Sequence, residues 1–248
     1  MSVMQSQRLG PLQFYRSSAA PCPYLPGRIE RKLFARLSGP DAVTVNSRLS
    51  QAGFRRSHDI IYKPACPGCN ACVPVRVPVD IFAPSGNLQR IARRGRELLQ
   101  SELPCAPSQE QFKLFIAYES ARHADSDMAR MSFDDYSAML LEGQAHTLLL
   151  ELRTQSGQLV GTMLADRLED GYSAVYSFFS DAPELQRYSL GTLLILKLIE
   201  QARSAGLPYV YLGYWVEHSR KMGYKARFQP LEALGPAGWQ PFSLYQSK

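Results

Sequence analysis

The chain has 248 residues, 45% hydrophobic and 20% charged, a balance that fits a folded globular protein and excludes a disordered or fibrous one. No apolar run approaches the ~20 residues that a membrane-spanning helix needs, since the longest candidate, LGTLLILKLIE, is interrupted by Lys197 and closed by Glu200. The net charge of +6 is uneven: residues 1–100 hold 15 Lys and Arg against 5 Asp and Glu (+10), and residues 101–248 hold 13 against 17 (−4).

That asymmetry suggests an anionic partner held mainly by the first part, with nucleic acid the natural candidate; a merely solvated basic face is the plainer reading. MSVMQSQRLGPLQFY has no apolar stretch followed by a small-residue cleavage site, so a cytosolic location is expected. Five cysteines in a reducing compartment are not expected to form a disulfide framework.

In chain order, APCPYLPGR reads as a loop and ERKLFARL as a short helix. DIIYKP and CVPVRVPV read as strands whose prolines confine them to edges or ends. GNLQRIARRGRELL, 86–99, predicts a basic helix with Leu88, Ile91, Leu98 and Leu99 on its apolar side, and LPCAPS, 103–108, a linker. Ser108 with Gln111 forms a capping box before a helix carrying Phe112, Phe115, Ile116 and Glu119. RHADSDMAR is loop-like; Ser132 and Asp135 cap a second helix that Gly143 stops. HTLLLEL, QLVGTMLAD and YSAVYSFF then form a meander. SLGTLLILKLIEQARSAGLP is a helix buried through Leu190, Leu193, Leu194, Leu198 and Ile199, and YVYLGYW is the next strand. The expected class is α+β: a GNAT-like acyltransferase fold over 101–248, preceded by a smaller, cysteine-bearing domain over 1–100.

Two motifs carry chemistry. Cys66, Cys69 and Cys72 stand at a strict three-residue step, with Pro67 and Gly68 suiting a turn around one ion. Cys22 is the best fourth ligand and Cys105 a poorer one. Zinc and an iron–sulfur cluster both fit such a set, as do four reduced thiols with no metal. A closed site of this kind stabilises its domain and does no chemistry on a substrate. The second motif, YLGYWVEHSRKMGYKARFQPLE, interleaves Tyr214, Trp215, Tyr224 and Phe228 with Arg220, Lys221, Lys225 and Arg227. Bases stack on aromatics and phosphates pair with cations, so this reads as a single-strand nucleic-acid surface, or else as a core strand followed by a solvated loop.

At these residues the sequence resembles the bacterial aspartate/glutamate leucyltransferases, relatives of the arginyl-tRNA–protein transferases. CPYLPGR, GFRRSHDIIYKPACPGCNACVPVRVPV, RRGREL, RHADSDM, SAVYSFF, YSLGT, LPYVYLGYW and KMGYKARFQPLE fall in the family's order across nearly the whole chain. Two positions depart: the relatives' N-terminal C-x-x-C reads Cys22-Pro23-Tyr24-Leu25, and their Asp-Pro after the aromatic pair reads Asp181-Ala182-Pro183.

The resemblance implies transfer of leucine from leucyl-tRNA to a protein's N-terminal Asp or Glu, creating a degradation signal, with no organic cofactor. It implies a site in a V-shaped gap between YSAVYSFF and YVYLGYW. There, Tyr176 and Tyr214 line the reaction and Asp166 is the candidate proton acceptor. Ser189 and Gly191, at a helix N-terminus, with Lys221, Lys225 and Arg227, are expected to hold the tRNA 3′ end, and Arg90, Arg93, Arg94 and Arg96 the acceptor stem. Arg28, Lys63 and Arg76 are the candidates for the acceptor's carboxylate, with the cysteine clip forming a wall of the site. The alternatives are an arginyl-tRNA donor, an acyl-CoA N-acyltransferase and a metal-stapled nucleic-acid-binding module. Against the CoA reading, Gln186–Gly191 lacks the first glycine of the Q/R-x-x-G-x-G/A pattern.

Overall fold

A computed structural model of the protein describes residues 12–142, 146–219 and 221–245. Gly143 and Arg220 lie outside the described residues. In the first part, β1 (Tyr15–Arg16), β4 (Lys32–Arg36), β6 (Ile60–Pro64) and β5 (Arg55–Ser57) form a four-stranded sheet in that order, and β2 (Ala20–Pro21) pairs with β3 (Ile29–Glu30). ERKLFARL is therefore a strand and not the helix expected. Leu33, Ala35 and Leu37 alternate onto one face and pack with Phe54 and Ile61 beneath α1 (Ala42–Gln51). Pairing with β6 overrides a helical preference that is worth only tenths of a kcal/mol per residue.

The main sheet has eight strands. Their order is β14 (Gly238–Pro241), β13 (Glu232–Gly235), β7 (Val73–Pro78), β12 (Tyr209–Trp215), β11 (Gly171–Phe179), β10 (Leu159–Arg167), β9 (Thr147–Arg153) and β8 (Leu99–Pro104). It draws strands from both sides of residue 100. The predicted meander is β9–β10–β11, antiparallel throughout. The basic helix is shorter than expected: α2 (Gly86–Arg94) passes through a 3₁₀ turn at Gly95–Glu97 and the chain enters β8. Leu98 is buried and Leu99 exposed, an alternation that belongs to a strand. The start of the expected linker is therefore paired with β9.

Helices cover both faces of the sheet's middle. Leu150, Leu152 and Met163 pack with α5 (Leu190–Ser204) on one side. Leu149, Leu164 and Phe178 pack on the other with Phe115 of α3 (Gln109–Arg122) and Tyr136 of α4 (Phe133–Leu141). Burial on both faces explains why β9 reads as consecutive leucines. Both predicted capping boxes form: Gln111 N–H donates to the Ser108 hydroxyl, and Asp135 N–H to that of Ser132. The four leucines and one isoleucine predicted for the α5 stripe are all buried.

Candidate active site

The site begins where two parallel strands part. β11 and β12 pair only through Gly171–Tyr209, Tyr172–Val210 and Ser173–Tyr211, although both run on beyond. The register of β12 against β7 shifts between Tyr211 and Gly213, and Gly213 has φ of +76°. This bulge turns β12 away from β11 and opens the expected V-shaped gap.

The Arg55 side chain enters that gap from β5. Its Nη2 donates to the carbonyls of Ala174 (2.6 Å) and Val175 (3.1 Å), just where β11 has lost its strand partner. Its Nη1 lies against Gly213, where any Cβ would sit 2.0 Å from it, so glycine is required by space as well as by φ. Arg56, the next residue, points the opposite way along the strand. Its Nε and Nη2 grip the Asp166 carboxylate at 2.6 and 2.8 Å, with Thr147 and Asn46 as further donors.

A cavity of about 1020 Å³ opens at the gap. Its walls come from four sources: Tyr176 and Phe179 of β11; the Ser189–Thr192 start of α5; Lys221 and Lys225 after β12; and Tyr118, Arg122 and His123 at the end of α3. Pro23 and Tyr24, just after Cys22, Arg55, and Asp181 just after β11 also line it. The Tyr176 hydroxyl donates to the buried Glu119 carboxylate. Burial and that bond push its pKa up, so Tyr176 stays a phenol. Arg122 lies over the Phe179 ring at 4.9 Å. Ser189 is left-handed (φ +49°) and makes no side-chain cap, so the first α5 amides have no capping side chain on the cavity side. Gly191 has a packing reason of its own, because a Cβ there would meet the Phe179 ring at 2.7 Å.

Of the residues singled out in the sequence, Tyr176, Ser189, Gly191, Lys221 and Lys225 line one cavity. Several others need correction. Asp166 is fully buried and held by Arg56, away from the cavity, so it has no access to a reacting amine. The Tyr214 hydroxyl is spent on the carbonyls of Gly53 and Tyr62, and only its own carbonyl reaches the site, through Lys225. Lys225 itself is buried, so it is not a surface phosphate contact. Arg227 is exposed outside the cavity. Arg76 is ion-paired with Glu232 at 2.7 Å and stacked on Tyr209 and Trp239, which leaves no charge for an acceptor. Arg28 is exposed, Lys63 sits 4.9 Å over Phe54, and neither lines the cavity. Arg90, Arg93, Arg94 and Arg96 are all exposed, Arg94 donating to the Arg187 carbonyl.

Cys22, Cys66, Cys69 and Cys72 gather closely enough to act on one another: burial, then the other three sulfurs, push the Cys72 thiol up to about 12. Gathering does not make a ligand set. The Cys66 sulfur accepts from Arg31 N–H at 3.4 Å and faces the Arg31 carbonyl at 3.6 Å. Among the described residues no three His, Cys, Asp or Glu form a group that could hold a metal ion.

Sequence reasoning missed Arg55, Tyr118, Arg122 and His123. The signal for Arg55 was the Arg-Arg pair in GFRRSH, two adjacent charges that a strand must send to opposite faces.

The wider fold is shared with solved structures of distant sequence. FemX matches with a TM-score of 0.52 over 95% of this chain and 90% of that one, at 7% identity. The C-terminal domain of a protein assigned as a lysylphosphatidylglycerol synthetase, from Agrobacterium fabrum, matches with a TM-score of 0.50 over 82% of this chain and 68% of that one, at 16% identity. The two halves of the family "Arginine-tRNA-protein transferase" match residues 20–90 (N terminus) and 110–235 (C terminus). An aspartate/glutamate leucyltransferase of Paramagnetospirillum magneticum is 50% identical over 93% of both chains. Another, of Gluconacetobacter diazotrophicus, is 50% identical over 93% of this chain and 88% of its own. A third, of Sinorhizobium medicae, is 43% identical over 97% and 96%. The chain belongs to this aspartate/glutamate leucyltransferase branch of the arginine-tRNA-protein transferase family. It is an aminoacyltransferase. Among the described residues no helix is long and apolar enough to cross a membrane.

Proposed function

We propose that the chain transfers leucine from leucyl-tRNA to the α-amine of proteins beginning with Asp or Glu. The observation that carries this is 50% identity, over 93% of both chains, with an aspartate/glutamate leucyltransferase. A cationic cavity at a strand splay supports it.

An aminoacyl ester is already activated, so the reaction is aminolysis and needs no ATP and no covalent enzyme intermediate. The protein has to hold the amine against the ester carbonyl, stabilise the oxyanion and move one proton. The α5 N-terminus at Ser189–Thr192 suits the phosphate next to the terminal ribose. The exposed arginines of α2 and Arg96 suit the acceptor stem, which is held by charge and little else. For the acceptor's carboxylate, Arg122 and Lys221 replace the three cations expected from the sequence, because they are the exposed cations on the cavity wall. Tyr176, locked as a phenol on Glu119, acts as a wall and hydrogen-bonding group and not as a base.

The test is transfer from leucyl- or arginyl-tRNA to peptides beginning with Asp, Glu, Lys or Ala, with the products weighed. Leucine on the Asp and Glu peptides alone is the expected result. Arginine in its place overturns the donor, and no transfer from either by the folded protein overturns the reaction.

A further inference from the structure

The proton that leaves the amine needs an acceptor on the cavity wall. Asp166 is sealed in its ion pair, Glu119 accepts from the Tyr176 hydroxyl, and Asp181 is an exposed carboxylate of the cavity wall. We infer that Lys225 serves the transfer as an uncharged amine, taking the proton from the attacking nitrogen and giving it to the departing ribose oxygen, and that Arg55 is the positioning residue that keeps it uncharged. This rests on the aminolysis proposed above.

The geometry is that of a neutral lysine. Lys225 is 6% exposed, in the 3₁₀ turn Gly223–Arg227, and lines the cavity. Its Nζ donates to the Tyr214 carbonyl at 2.6 Å and meets the Met222 sulfur at 3.3 Å. An ammonium would have three N–H groups to place and a charge to neutralise. The site supplies one carbonyl and one thioether, and among the described residues Lys225 has no carboxylate partner. An uncharged amine satisfies both contacts and keeps a lone pair.

The groups around it point the same way. Arg55 faces it from β5, Cys72 from the segment before β7, Tyr214 from β12, and Tyr224 from its own turn at 5.9 Å. Lys221, Arg122 and Asp181 stand on the cavity wall, together with Tyr24, Tyr118 and His123. Burial, and then the Arg55 charge, hold the Lys225 amine well below the usual lysine range. Of the groups acting on it, Cys72 is the one that would oppose this. Arg55 cannot drift from its place: β11 carbonyls hold one side, Gly213 abuts the other, and its Nη1 has no hydrogen-bond partner. It is a permanent positive charge fixed beside an amine that must not carry one.

The step balances. A C–N bond forms between the acceptor's nitrogen and the ester carbon, and the nitrogen's excess proton passes to Lys225. Collapse of the tetrahedral species breaks the C–O bond to the ribose, and Lys225 returns the proton to that oxygen. Nothing is oxidised or reduced.

The experiment follows single-turnover leucine transfer to an Asp-peptide from pH 6 to 9 for the full chain and its K225M, R55Q and R55K forms. The wild type must first transfer leucine; if it does not, the proposed function has failed and not this inference. K225M is expected to lose about 100-fold or more, the span of general acid–base catalysis. R55Q is expected to be slow near neutrality and to recover toward pH 9, because the unshielded amine now holds its proton longer. R55K keeps the charge and is expected to keep the wild-type pH profile. A K225M rate within threefold of wild type, or an R55Q deficit equal at every pH, overturns the inference. Nitrogen-15 NMR of lysine-labelled wild type decides the matter even where a variant fails to fold. One Nζ titrating below all the others is expected, and all titrating together near the free value of about 10.4 refutes it.

Discussion

Replacing Asp166 by alanine separates a structural carboxylate from a catalytic one. Asp166 accepts from Arg56 Nε and Nη2, from Thr147 at 2.9 Å and from Asn46 at 3.2 Å, and both ion-pair side chains are at most 1% exposed. The substitution leaves the Arg56 charge buried with no counter-charge, which costs about 3–5 kcal/mol in comparable sites. Domain stabilities of about 5–15 kcal/mol make that about a fifth of the total or more. For a chain of this size it should lower Tm by about 6–20 °C. Arg56→Met combined with Asp166→Leu removes both charges and should recover most of the loss, because an isolated buried charge costs more than an apolar pair of similar volume. The assay is urea unfolding of the two variants beside leucine transfer per folded molecule. A stable Asp166→Ala protein that no longer transfers would refute the reasoning and return Asp166 to the chemistry.

Gly191→Ala should push the Phe179 ring aside, costing about 1–3 kcal/mol in urea unfolding, and should raise KM for the acceptor peptide because Arg122 rests on that ring. Changing Arg90, Arg93, Arg94 and Arg96 together to glutamine should weaken tRNA binding and flatten its salt dependence, the slope of log K against log salt falling by about 3 if all four meet phosphates. An unchanged slope would remove α2 from the tRNA path. The buried lysine also predicts a stability profile. Unfolded Lys225 keeps its proton to about pH 10.4 while the folded side chain gives it up earlier. Over that interval the unfolded chain binds more protons, so wild-type stability should rise with pH relative to K225M, and the rise should stop above the unfolded value. Parallel pH–stability curves for the two proteins would contradict it.

The C-terminal fold was legible because its signals are local. Two capping boxes, a leucine stripe at helical spacing and three apolar runs between Gly-containing turns each survive without knowledge of the rest. ERKLFARL was misread because its partner, β6, lies beyond α1, and nothing within eight residues announces that pairing. β8 was missed for the same reason, its neighbour β9 being more than 40 residues away. The site divides along the same line. The place of Tyr176, Ser189 and Gly191 on one cavity wall followed from the resemblance together with element order. The roles of Asp166, Arg76 and Lys225 could not, because each is decided by a partner or by burial that distant chain supplies. Asp166 and Arg56 are 110 positions apart, Arg76 and Glu232 156.

The place of β7 in the main sheet has a consequence for synthesis. β7 ends at Pro78 and lies between β12 and β13, so the neighbour that begins to close it is complete only at Trp215. At about 5–20 residues per second, the 137 residues from 78 to 215 take roughly 7–27 s to translate. For that time Val75 and Val77, fully covered in the finished molecule, wait without either strand partner. Gly53, Tyr62 and Tyr24 wait with them, since Tyr214 is one of the groups that dock the first part onto the second. The nascent chain therefore carries an open sheet edge and four reduced thiols together. Synthesis slowed between β7 and β12 should trap aggregates that synthesis slowed after β13 does not.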